Sequence, residues 1–229
     1  MHATLTVLGS GTSGGVPSLG CSCAVCTSSD PRDQRLRPSL LVSVGPHQVV
    51  IDTPPDFRTQ ALRAGLRTID AVFYTHGHAD HILGMDDVRP YSFRRSEPLP
   101  LYGDARTIAD LARVFHYVFS GAQTESAVPR VTAKVLQQPV EVAGVRFEPL
   151  TVMHGRLPIL GYRFGKVAYL TDVSAIPPAT RERLQGLDVL FLDALRHRPH
   201  PTHFTVAQAL DVVAELRPRQ TYFIHICHD

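Results

Sequence analysis

Thr75-His76-Gly77-His78-Ala79-Asp80-His81 sets three imidazoles and one carboxylate within the six residues from His76 to His81. Neutral imidazole nitrogen and carboxylate oxygen are donors suited to zinc, manganese or iron. Four such groups are more than one tetrahedral ion takes from a single loop, so the spacing points to two ions held side by side. Two ions about 3.5–4 Å apart can share a hydroxide, generate it near neutral pH, and clamp the attacking and leaving oxygens of a hydrolytic reaction. Esters, lactones, thioesters and phosphodiesters all suit that chemistry.

Further donors lie where strands are expected to end. His154 follows Leu150-Thr151-Val152-Met153, Asp172 follows Ala168-Tyr169-Leu170-Thr171, and His225 follows Thr221-Tyr222-Phe223-Ile224. Taken singly, a histidine after a strand is more often a hydrogen-bonded structural residue. Cys21-Ser22-Cys23-Ala24-Val25-Cys26 supplies three thiolates, and clustered cysteines in a cytosolic chain read as metal ligands before disulfides. A closed zinc site needs a fourth ligand. His228 is the favoured candidate and Cys227 its competitor, although an extended segment would point 226 and 228 one way and 225 and 227 the other.

Gly9-Ser10-Gly11-Thr12-Ser13-Gly14 has the spacing of a dinucleotide-binding fingerprint, which must open a helix. The following Gly15-Val16-Pro17-Ser18-Leu19-Gly20-Cys21 cannot start a regular α-helix, so a tight turn is expected. An anion nest of its N–H groups is the alternative.

The elements that must position these groups follow from periodicity. Ile69-Asp70-Ala71-Val72-Phe73-Tyr74 reads as a short buried strand feeding the His-rich loop. Other strands are expected near 3–8, 39–44, 47–52, 131–137, 145–152, 159–164, 166–171, 187–192 and 220–226. Helices fit 56–64, 104–118, 178–185 and 205–216. Gly45-Pro46 and Gly165-Lys166 look like hairpin turns. The stretch 84–103 is irregular, either a loop over the site or a solvated connector. No linker or repeat divides the 229 residues, so a single domain over 1–229 is expected, with a Cys-rich zinc loop at about 20–27. The net charge of +2 gives no electrostatic case for nucleic-acid binding. No apolar run approaches a membrane span, and the start lacks signal-peptide regions. A cytoplasmic, soluble protein is expected.

The ligand order resembles that of the metallo-β-lactamase superfamily across essentially the whole chain. The matching residues are Asp52 after a strand, the His-x-His-x-Asp-His loop, His154, Asp172 and His225. The resemblance implies an α+β fold, an αβ/βα four-layer sandwich of two mixed sheets with outer helices. It implies that His76, His78 and His154 hold one ion and Asp80, His81 and His225 the other, with Asp172 bridging. Asp52 would orient the metal loop without ligating. The stretch from Gly9 to Leu41, with Gly11-Thr12-Ser13-Gly14-Gly15-Val16-Pro17, the cysteines and Arg35-Leu36-Arg37-Pro38-Ser39, is similar to the phosphoribosyl cyclic phosphodiesterase group. That likeness implies cleavage of a small phosphodiester, cyclic on ribose, with two Mn2+ or Zn2+ ions in the active site. It also implies one structural Zn2+ on Cys21, Cys23, Cys26 and His228.

His203, in Pro201-Thr202-His203-Phe204-Thr205, matches that group's histidine ahead of the final helix. Asp80 and His203 are the expected catalytic side chains, His203 assisting the leaving oxygen; the alternative is that His203 merely packs. Arg196, His197, Arg198 and His200 could meet a second phosphate, a solvated basic loop being equally open.

The partner expected is a small-molecule phosphodiester, with no nucleic acid, no membrane and a possible homodimer. A transfer-RNA 3′-processing relative would carry an arm between His154 and Asp172, where only 17 residues stand. A flavodiiron relative would carry Glu in place of His78, and a β-lactamase would carry Cys in place of Asp172. A metal-binding protein of quinone-cofactor biosynthesis, sharing the Cys cluster, is the non-hydrolytic alternative.

Overall fold

The computed structural model describes residues 3–121 and 125–229. Among them, twelve strands form two mixed sheets of six, each following chain order. The first holds β1 (Ala3–Gly9), β2 (Ser39–Val44), β3 (His47–Ile51), β4 (Ala71–Phe73), β5 (Leu99–Gly103) and β6 (Val131–Val135). The second holds β7 (Val140–Val142), β8 (Val145–His154), β9 (Leu157–Phe164), β10 (Val167–Leu170), β11 (Val189–Asp193) and β12 (Gln220–Ile224). The helices are α1 (Phe57–Arg63), α2 (Ala79–Ile82), α3 (Arg89–Ser92), α4 (Ala105–Val114), α5 (His116–Phe119), α6 (Pro178–Arg183) and α7 (Val206–Leu216). The chain divides into two compact units, one centred on Ser39–Gln137 and the other on Gly9–Pro38 with Val145–Asp229. None of the described helices is long and apolar enough to cross a membrane.

In the first unit, the Gly45-Pro46 turn joins β2 and β3 antiparallel, as expected. From β3 through β6 the pairing is parallel, which demands crossovers, and the helices fill them. Phe57 and Ala61 of α1 pack with Val50, Val72 and Leu101 of the sheet and with Met85 and Val88. The stretch 84–103 is not a loop. It holds a 3-10 turn at Met85–Val88, then α3 and the interior strand β5, and Met85, Val88, Leu99 and Leu101 are fully buried. Its prolines disguised this: Pro90 sits in the first turn of α3, where a missing N–H costs nothing. The helix expected over 104–118 is broken at Phe115, whose φ of −107° and ψ of 44° part α4 from α5.

In the second unit, β9 pairs antiparallel with β8 and β10, while β10, β11 and β12 run parallel. Leu190 and Leu192 of β11 pack against Ala209, Val212 and Leu216 of α7. That helix starts in a capping box between Thr205 and Gln208, worth about 1 kcal/mol, and Arg217 ends it in the left-handed conformation.

One close approach in the first unit fixes the His-rich loop. Thr53 donates its N–H to the His81 carbonyl at 2.9 Å, and Gly84 donates to the Thr53 carbonyl at 2.8 Å. A Cβ on Gly84 would lie 2.1 Å from the Pro54 carbonyl oxygen. Gly84→Ala must therefore push two backbone segments apart. The expected loss is about 1–3 kcal/mol of stability, read from the urea midpoint; an unchanged midpoint would show that these segments part freely.

Candidate metal centres and catalytic residues

Three strands end on a non-glycine residue in the left-handed region: Asp52 (φ 61°) after β3, Asp172 (φ 57°) shortly after β10, and His225 (φ 58°) after β12. That conformation costs an L-residue about 1–2 kcal/mol, and it turns each side chain off the alternation its strand would have imposed. All three are buried, at 0%, 2% and 1% exposure. Strain held at buried polar side chains is a mark of a functional site.

In the first unit, Asp52 organises the His-rich loop. Its Oδ1 accepts the Thr75 N–H at 2.8 Å, and its Oδ2 accepts the Thr75 hydroxyl and the His81 Nδ1–H, each at 2.8 Å. Burial pushes the Asp52 carboxyl above the ordinary carboxylate range, against the opposing pull of His81. The Nδ1 bond fixes the His81 ring and directs its Nε2 to within 3.3 Å of Asp80 Oδ2. His76 Nε2 lies 3.0 Å from His78 Nδ1. Gly77 between them has no room for a side chain, since a Cβ would meet Asp110 Oδ2 at 2.5 Å.

In the second unit, the Asp172 carboxylate faces two imidazoles, with Oδ2 3.3 Å from His225 Nε2 and 4.0 Å from His203 Nε2. The His203 ring stacks on His225 at 4.5 Å and meets His154 edge-on at 4.8 Å. His154 is itself oriented, its Nδ1–H donating to the Thr202 carbonyl at 2.9 Å. His203 donates its Nδ1–H to Asp193 Oδ2 at 2.7 Å, and the same oxygen accepts the Val173 N–H at 2.7 Å. Burial pushes the Asp193 carboxyl well above its ordinary range, the His225 ring being the largest opposing influence.

Asp193 went unnoticed in the sequence. The available signal was a carboxylate closing the apolar run Val189-Leu190-Phe191-Leu192, a pattern that Asp52 shares at the end of β3.

Also in the second unit, the Sγ atoms of Cys21, Cys23 and Cys26 and a ring nitrogen of His228 lie within 4.8 Å of one another. His228 Nδ1 is 3.3 Å from Cys23 Sγ and 3.6 Å from Cys21 Sγ. Cys227 instead bonds Asp229 Oδ1 at 2.8 Å. The alternation expected for 225–228 fails because β12 stops at Ile224 and His225 turns. The Cys26 N–H at Cys23 Sγ and the adjoining His228 ring bring the Cys23 thiol down to about 6, while burial raises Cys26.

The donor sets suit divalent metal on geometric grounds. Ligand atoms 2.0–2.3 Å from a tetrahedral ion stand about 3.3–3.8 Å from each other, and the Cys23–His228, Cys21–His228, Asp80–His81 and Asp172–His225 separations of 3.3, 3.6, 3.3 and 3.3 Å fall within that range.

The glycine loop is structural. The N–H groups of Gly11, Thr12, Gly15 and Val16 donate to the carbonyls of Leu36, Ile226, Thr12 and Arg35, so these four donors are not left for an anion.

Replacing Asp52 by Ala leaves the Thr75 N–H, the Thr75 hydroxyl and the His81 ring without their common acceptor. The expected loss is about 3–5 kcal/mol in chemical denaturation. A loss below about 1 kcal/mol would mean that the loop holds its shape without the carboxylate.

Residues 47–226 match the family model described as a beta-lactamase superfamily domain. An octanoyltransferase of Porphyromonas gingivalis is 40% identical over 225 residues, covering 97% of this chain and 45% of that protein. The chain thus spans less than half the length of that relative. Among solved structures, a diphosphatase from the PhnP family is 54% identical, with a TM-score of 0.94 over 100% of this chain and 88% of that one. Zinc-bound PqqB from Methylobacterium extorquens shares the fold at 21% identity, with a TM-score of 0.78 over 99% of this chain and 89% of the other. Two mixed six-stranded sheets with their helices are the αβ/βα architecture expected from the ligand order, and the chain belongs to the metallo-β-lactamase superfamily, where its likeness to the PhnP family runs the full length.

Proposed function

We propose that this chain is a metal-dependent hydrolase of a small phosphodiester, with a cyclic ribose phosphate the favoured form. In this reading His76, His78 and His154 hold one divalent ion, Asp80, His81 and His225 hold a second, and Asp172 serves both. Zn2+ or Mn2+ bound to these donors would polarise the phosphoryl oxygens and make water acidic enough to attack near neutral pH. Cys21, Cys23, Cys26 and His228 would hold a separate structural Zn2+.

The observation that carries a catalytic reading, as against mere metal binding, is His203. His203 is 8% exposed, its Nδ1–H is committed to Asp193 at 2.7 Å, and its Nε2 faces Asp172 Oδ2 at 4.0 Å. A metal-storing protein has no use for a proton carrier locked in one orientation beside its donors. Phosphodiester cleavage does need one at the leaving group. Nε2–H of the protonated ring delivers a proton to the departing alkoxide, and Asp193 steadies the positive ring until it does. The PhnP-family diphosphatase also acts on phosphate bonds, by its name, which supports phosphorus over carbon as the centre attacked.

Hydrolysis of bis(p-nitrophenyl) phosphate by zinc- and manganese-loaded protein tests the reading. Turnover is expected in the wild type and none above background in His76→Ala; metal-replete protein without turnover would return the choice to a lactone or thioester hydrolase, or to a binding protein. Asp193→Asn is expected to lower kcat about 10²-fold with KM and metal content little changed. Loss of bound metal in that variant would instead make Asp193 part of the scaffold of the ligands. Cys23→Ser is expected to lose one equivalent of zinc and to lower Tm more than it lowers kcat. Unchanged zinc content would remove the structural site.

A further inference from the structure

In the first unit, α1, α3 and the residues that follow each of them enclose a cavity of about 270 Å3. None of the candidate metal donors lines it. Its deepest lining is apolar: Phe57, Ala61 and Leu66 are 0%, 5% and 7% exposed. Leu62 stands at the rim, 65% exposed, and Pro90 and Tyr91 complete the apolar lining. The Tyr91 hydroxyl donates to the Leu66 carbonyl at 3.4 Å.

Three arginines, Arg58, Arg67 and Arg94, line the same cavity against one acid, Asp87. Asp87 is already answered. Burial pushes its carboxyl above the ordinary range, and the charge and backbone N–H of Arg58 pull it back. The neighbouring Arg95 stands 3.7 Å from Asp70. Arg67 and Arg94 have no carboxylate partner among the described residues. Arg94 instead donates its Nη1–H to the Arg67 carbonyl at 3.4 Å. An adjoining cavity of about 250 Å3 shares Arg67, Tyr91 and Arg94 with the first.

These two features select one kind of ligand. Guanidinium pairs with an oxyanion through two parallel hydrogen bonds, but a bare ion at an exposed arginine gains little over water. An apolar molecule alone has only a small area to bury, and the cost of immobilising it offsets that gain. Joined in one molecule, the two contributions share a single loss of freedom. A volume of about 270 Å3 lies at the lower end for small-molecule sites, which limits the body to one ring or a short chain.

We infer that this cavity binds a small organic anion, its apolar body on Phe57, Ala61 and Leu66 and its oxyanion between Arg67 and Arg94. The site is separate from the proposed hydrolytic centre and does not depend on that reading.

Calorimetric titration of metal-loaded protein with 4-phenylbutyrate, 4-phenylbutanol and acetate separates body from charge. 4-Phenylbutyrate is expected to bind at least about tenfold more tightly than the uncharged alcohol or the bodiless acetate. Arg67→Met and Arg94→Met are each expected to weaken 4-phenylbutyrate about tenfold, with metal content unchanged. Leu62→Glu sets a carboxylate at the rim and is expected to weaken it as well. Absence of saturable 4-phenylbutyrate binding, or affinity unchanged in either arginine variant, would overturn the inference. Unchanged affinity is also what capture of the carboxylate by the metal ions would give.

Discussion

Three left-handed residues at strand ends are the constraint on which this molecule's chemistry depends. Asp52, Asp172 and His225 each interrupt the two-residue alternation of a strand just past where it leaves the sheet. Without that turn, each side chain would follow its strand's pleat into a core of leucine and valine or out toward solvent. With it, a buried polar group is delivered to the strand's carboxyl end, where open α/β sheets place their ligands. The surrounding core has to hold these conformations, and it does so with fully buried neighbours such as Ile51 and Leu170.

The same device recurs in both units. Asp52 accepts a backbone N–H and the Nδ1–H of His81; Asp193 accepts a backbone N–H and the Nδ1–H of His203. Each carboxylate stands at the end of a strand and locks an imidazole by one nitrogen, so that the other faces a second carboxylate. Asp80 Oδ2 is 3.3 Å from His81 Nε2, and Asp172 Oδ2 is 4.0 Å from His203 Nε2. In the proposed reading the first presented nitrogen takes a metal and the second carries a proton.

What was legible in the sequence was local. His76 to His81 and Cys21 to Cys26 could be read because their donors are neighbours in the chain. The hairpins at Gly45 and Gly165 and the helix ending before Pro218 rest on strong single-residue signals. Asp193 was hidden because one acidic residue at the end of an apolar strand looks like a solvated terminus until its partner, ten residues on, is folded back. Strand β5 was hidden by Pro98 and Pro100, and only its place inside a parallel sheet overrides that composition. The turn at His225 had only a weak signal: histidine, like aspartate, is enriched in the left-handed region, but after an apolar run it reads as more strand. Parity therefore misjudged the side chains from 225 to 228.

The cluster of Cys21, Cys23, Cys26 and His228 has a consequence for how the protein is made. Cys23 and His228 are 205 residues apart in the chain. At ribosomal rates of roughly 5–20 residues per second, the thiols are synthesised about 10–40 s before the imidazole that faces them. The glycine loop shares that schedule, since Thr12 bonds the carbonyl of Ile226. The early segment must wait in the open for strand β12 and the residues after it. During that interval the three thiols lack the donor that completes their cluster and stand open to oxidants and to competing metal ions.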